Sequence, residues 1–97
     1  MNIVWTATAL GQLAAIREYI SQTSPFYAER MVQRILARAP QLLAFPDSGR
    51  IVPEVGREEI REIIEGPYRV IYRRTSTRLE ILSVVHGRQG SLGVGAS

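Results

Sequence analysis

Cysteine is absent from all 97 residues. That excludes disulfides and thiolate metal sites, and it is compatible with a reducing cytoplasm, the expected location. Lysine is absent too, so the twelve basic residues are all arginine. A single histidine, His86, offers no second imidazole for a metal site. No glycine-rich phosphate loop, Ser-His-Asp order or dinucleotide fingerprint occurs, so neither metal nor cofactor is expected. Apolar runs are only a few residues long, against the roughly 20 that cross a bilayer. The start, Met1 to Thr6, has no basic stretch leading into an apolar one, so neither a signal peptide nor a membrane span is expected.

What is present describes one ordinary domain. Apolar residues make up 45% and charged residues 22% of the chain, a globular balance. A chain of this length buries roughly two-thirds of its unfolded surface in one core. The expected domain is residues 1–88. Residues 89–97, with Gly90, Gly93 and Gly95, read as a flexible tail. The net charge of +3 is unevenly spread. Residues 1–49 carry four arginines against three acids, residues 50–65 three against five, and residues 66–97 five against one. The field is therefore concentrated in the last third, at +4, where it favours an anionic partner.

Periodicity predicts the elements. Ile3 to Trp5 is a short β-prone run, after which Thr6 or Thr8 can cap a helix. Ala9, Leu13, Ile16 and Ile20 share one helical face. Ser24-Pro25 restarts a helix, with serine at the N-cap and proline at N1. Its apolar face is Ala28, Val32, Ile35, Ala39 and Leu42, and Pro40 is expected to kink or end it. Residues 44–58 read as loop, with room for a short strand near Ile51. Three strands follow: Glu59 to Glu65, Tyr68 to Arg74 and Arg78 to His86, joined by tight turns. The predicted fold is α+β, order β-α-α-β-β-β, an N-terminal helical hairpin packed on one face of an antiparallel sheet. Both parities of the last strand carry apolar groups. One-sided burial gives cleaner alternation, so the second sheet face should be partly covered, by the tail or by a partner chain.

Candidate functional residues sit in the same strands. Arg69, Ile71 and Arg73 share one face, where two guanidiniums can take a phosphate or carboxylate, or pair with Glu62 or Glu80. Tyr68 and Tyr72 read as core aromatics. His86 reads as structural, with catalysis the lesser alternative. Arg88 shares its parity if the strand continues, so the two could meet one ligand. Glu58, Glu59, Glu62 and Glu65 offer a general base or, more simply, a solvated charged strand edge.

Gly49-Arg50, the run from Gly56-Arg57 through Arg61 to Gly66-Pro67-Tyr68-Arg69 with Tyr72 and Arg73, and the terminal Val84-Val85-His86-Gly87-Arg88 resemble the ParE branch of the ParE/RelE toxin superfamily. The resemblance spans about residues 2–88. It implies the toxin of a type II toxin–antitoxin module, one that poisons DNA gyrase without catalysis and is neutralised by an acidic, amphipathic ParD-type antitoxin. The expected partner-binding residues are Arg61, Arg69, Ile71, Arg73, His86 and Arg88. The sister RelE branch implies the alternative, messenger RNA cleavage on the ribosome. Arg69 and Arg88 match RelE arginines by motif position, and with His86 they are the candidate catalytic residues. The lysines RelE uses are missing, as is the tyrosine or histidine that follows Arg88 in active nucleases.

Overall fold

A computed structural model describes residues 1–87. The elements are β1 (Asn2–Trp5), α1 (Ala7–Ser21), α2 (Pro25–Ala44), β2 (Arg50–Ile51), β3 (Ile60–Glu65), β4 (Tyr68–Arg74) and β5 (Arg78–His86). The five strands form one sheet in the order β1-β5-β4-β3-β2. The β3–β4–β5 meander and the β2–β3 pair are antiparallel, as tight turns require. The sheet is nevertheless mixed, because β1 runs parallel to β5. No hairpin joins those two strands, so no turn rule sets their relative direction.

Both helix starts follow their caps. The Thr6 hydroxyl accepts from the Ala9 amide at 3.1 Å and donates to the Ile81 carbonyl at 2.9 Å, tying the first turn of α1 to β5. Ser24 accepts from the Tyr27 amide at 3.2 Å, with Pro25 at the first helical position. The α2 helix runs past Pro40 to Ala44, so proline does not end it. Pro40 lies on the exposed side of the helix, opposite the buried Ala39 and Leu42 stripe that holds the last turns on the sheet.

The sheet is apolar on both faces. Against the helices, Ala9, Leu13, Val32, Ile35 and Leu42 pack on Tyr68, Val70, Tyr72, Leu79, Ile81 and Val84. On the second face Ile60, Ile71 and Val85 form a smaller cluster with Val52, which comes from the loop after β2. Among the described residues the cover of this face is the chain's own loop between β2 and β3, where the tail or a partner chain was expected. The mixed parity of β5 has a separate cause. Ile71 pairs with Ser83 but Tyr72 with Ile81, so Leu82 is an extra residue in a β-bulge. Beyond it the side-chain alternation shifts by one. Leu79, Ile81 and Val84 therefore all reach the helix side, and Leu82 and Val85 the other.

Tyr72 anchors the loop before β2. Its hydroxyl donates to the Pro46 carbonyl at 2.7 Å and accepts from the Gly49 amide at 3.0 Å. A Cβ on Gly49 would lie 2.7 Å from both that hydroxyl and the Glu62 carbonyl oxygen. Gly49→Ala should therefore destabilise the fold, since backbone cannot retreat as a flexible side chain can. Gly11→Ala, in α1 with no atom within 4 Å of the new methyl, should be neutral or stabilising by up to about 1 kcal/mol. Tyr72→Phe should cost about 1–3 kcal/mol through the two partners it strands. Urea unfolding of the three variants checks these signs.

Candidate functional site

The second face of the sheet carries Arg69, Ile71 and Arg73, and it holds the two arginines in ion pairs. Glu62 on β3 has no exposed side-chain surface. Such a carboxylate stays charged only if paired and hydrogen-bonded. Arg69 Nε donates to Glu62 Oε1 at 2.6 Å, and Arg50 Nε to Oε2 at 2.5 Å. The far edge of the Arg69 guanidinium then grips Glu54 from the loop, Nη1 to Oε2 at 2.9 Å and Nη2 to Oε1 at 3.0 Å. Arg69 holds Glu54 below the usual carboxylate range. Hydrogen bonding to Glu54 in turn raises Arg69, burial opposes the rise, and Glu62 adds to it.

A second knot lies beside it. Arg73 Nε donates to Glu80 Oε1 at 2.8 Å and Arg78 Nε to Oε2 at 2.7 Å. Arg73 first, then Arg78, lower the Glu80 carboxyl. The two knots together set Arg50, Arg69, Arg73 and Arg78 against Glu54, Glu62 and Glu80, four charges against three. Three of the five arginines of the last third, Arg69, Arg73 and Arg78, are thereby paired within the fold.

The predicted residues divide accordingly. Arg69 and Arg73 make the pairings with Glu62 and Glu80 that their spacing allowed. Ile71 is 1% exposed and packs in the core of the second face. Arg61 points to the other side and serves the loop, donating to the Glu58 carbonyl at 3.0 Å and the Gly49 carbonyl at 2.9 Å. His86 sits opposite Tyr68, ring centroids 5.6 Å apart, also on the helix side. The sheet thus separates His86 from Arg69. Arg88 lies outside the described residues, as does the predicted tail. The four glutamates divide: Glu58 is exposed and Glu59 half-buried, as a solvated edge would be, whereas Glu62 is buried and Glu65 is buried under Arg34 and Arg38, at 3.0 and 2.8 Å.

Sequence reasoning missed a cleft of about 700 Å³ on the helix side. Gln12, Ile16 and Tyr19 of α1, Met31 of α2, and Tyr68 and His86 of the sheet line it. Ala9 and Leu13 are buried, but Ile16 and Ile20, on the same stripe, are only partly so. The last turns of α1 therefore leave apolar surface uncovered. Tyr19 at the rim is 71% exposed, and Tyr27, in the first turn of α2 and outside the cleft lining, is 66% exposed. Two large aromatics off the predicted core faces were the available signal.

The family model described as the ParE toxin of the type II toxin–antitoxin system parDE matches residues 3–90. The chain belongs to the ParE toxin family. This ParE-family chain is 36% identical over 85 residues to Toxin RelE2 of Caulobacter vibrioides, covering 88% of itself and 93% of that protein. A solved structure of the chromosomal ParDE TA system from P. aeruginosa matches with a TM-score of 0.73 at 25% identity, over 89% of this chain and 95% of that one. The YoeB/ParE toxin from Agrobacterium tumefaciens matches at 20% identity with a TM-score of 0.63, over 89% and 98%, a likeness of fold. The chain is thus a type II toxin of the ParE/RelE kind.

Arg69→Ala leaves Glu62 buried with one guanidinium fewer, and should cost about 3–5 kcal/mol. Arg17→Ala, which removes an exposed pair at 3.7 Å, should cost about 1 kcal/mol or less. Chemical denaturation of both variants tests the difference. Glu54 and Glu80 are lowered in the folded state, so their contribution is full above the ordinary value of 4.5 and is lost as pH falls through the depressed range. Wild-type stability should therefore drop below pH 4.5, and Glu80→Gln should flatten that dependence in unfolding curves taken across it.

Proposed function

We propose that this ParE-family toxin acts by binding, as an inhibitor of DNA gyrase, and that a ParD-like antitoxin neutralises it. The observation that carries the reading is the state of Arg69. Cleavage of RNA through the ribose 2′-OH needs a base, an acid and unsatisfied cations around one phosphate. Arg69 is 7% exposed and neutralised by Glu62 and Glu54. His86 lies across the sheet from it. The described residues therefore bring no base, acid and available cation together. A target such as gyrase places the action in the cytoplasm, and no helix of the described residues is long and apolar enough to cross a membrane.

The antitoxin reading rests on the ParDE system among the structural neighbours and on the cleft. The apolar walls and the exposed Tyr19 at the mouth suit the apolar side of an amphipathic helix, and the chain's net charge of +3 suits an acidic one. The second reading, a ribosome-dependent endoribonuclease, is favoured by the relative named RelE2.

Purified protein should inhibit gyrase supercoiling or trap cleaved DNA while in-vitro translation proceeds unimpaired. Transcripts cut in the presence of ribosomes, with gyrase untouched, would instead establish the nuclease. Tyr19→Glu should weaken the antitoxin complex at least about tenfold, equal to about 1.4 kcal/mol, in a calorimetric titration, with thermal stability unchanged.

A further inference from the structure

The outer face of α2 keeps a surplus of positive charge that the fold does not cancel. Arg30, Arg34 and Arg38 recur every four residues there, so they form one row on the helix surface. At the α-helical rise the row is about 12 Å long. After Glu29 the helix contains no acid. Glu29 itself lies to the side of the row, where it meets Arg17 of α1 at 3.7 Å and accepts from Gln33 at 2.9 Å. Among the described residues Arg30 has no carboxylate partner, and its guanidinium sits 5.6 Å over the Phe26 ring.

Glu65 sets the other two in place. One of its oxygens accepts from Arg34 Nε at 3.0 Å, the other from Arg38 Nη1 at 2.8 Å. Arg38 also donates to the Gln41 side chain and to the Ile64 carbonyl, each at 3.0 Å. One carboxylate thus orders two guanidiniums and cancels the charge of one. Three arginines against this single acid leave an excess of two, and Arg34 keeps 58% of its side chain exposed. Side chains already ordered lose less freedom when an anion docks.

The row also lacks the free apolar anchor on which protein partners depend. Its large apolar neighbour, Phe26, is covered on its face by Arg30 and met edge-on by Tyr27 at 6.0 Å. Interfaces with nucleic acid are more polar and more positive than those with protein. We propose that Arg30, Arg34 and Arg38 bind the phosphate backbone of duplex DNA. A duplex carries one phosphate charge per roughly 1.7 Å of axis, so about seven lie along the row. Such contacts position a protein without reading sequence. The choice of DNA over RNA rests on the gyrase reading; the surplus of charge does not.

The test titrates the full chain, without gyrase, against a short labelled DNA duplex at several salt concentrations. Affinity should fall with salt at a log–log slope of about 2.7, the value for three phosphate contacts. Arg30→Gln should lower that slope by about 1 and weaken binding at least about threefold. Arg57→Gln removes an arginine that is 65% exposed in the loop before β3, and it should change neither. Equal weakening by the two variants means diffuse charge and overturns the proposal. Tighter binding of polyglutamate, or of the matching RNA duplex, overturns it too. A chain that inhibits supercoiling yet does not bind the duplex also sinks it, while leaving the gyrase reading in place. Should Arg30→Gln unfold, the same titration of Arg34→Gln decides.

Discussion

A carboxylate buried in the middle of a sheet face is the constraint from which the rest of this architecture follows. Glu62 sits among apolar neighbours with no solvent on its side chain. Left unpaired, an ionised group there would cost several kcal/mol. Arg69 is therefore drawn inward, and Arg50 reaches the second carboxylate oxygen from the solvent side. The outer edge of Arg69 needs acceptors of its own, which brings Glu54 and its loop down onto the sheet. The loop delivers Val52 to Ile60, Ile71 and Val85, completing a second, smaller core. One buried charge thus decides where an arginine points, where a loop lies and which face is closed.

The bulge at Leu82 is the complementary device on β5. Without it, Leu79 and Ile81 could not share the helix side with Val84. The same offset turns His86 toward Tyr68 and the cleft, away from Arg69. Gln12 of α1 holds the strand just past the irregularity, its Oε1 accepting from the Val84 amide at 2.7 Å. Thr6 holds the strand just before it. The helical hairpin and the bulge are thus fastened together, and the cleft opens where α1 rises from the sheet beyond these two ties.

These features give the ParE-family fold two distinct surfaces. The second face is charge-satisfied and self-covered, a place where an incoming ligand must first displace something. The helix-side cleft is mostly apolar, open to solvent and edged by the exposed Tyr19. Binding through packed apolar surface needs no pre-set acid and base, whereas cleavage of a phosphodiester does. The geometry of Arg69 and His86 bears on that difference more directly than the count of arginines does.

Local chemistry alone determined the elements. The caps at Thr6 and Ser24, the Pro25 start, the stripe from Ala28 to Leu42 and the three-strand meander all depend on contacts a few residues apart. The motif around Tyr68 and Arg69 likewise pointed to the family. Tertiary structure alone decided the parallel seat of β1, the bulge at Leu82, the burial of Ile71, the pairing of Arg69 with Glu54 and the cleft beneath Tyr19. Each of these depends on which distant segment arrives as neighbour. A guanidinium reads the same in sequence whether it meets water, a partner's carboxylate or a glutamate folded back from fifteen residues away.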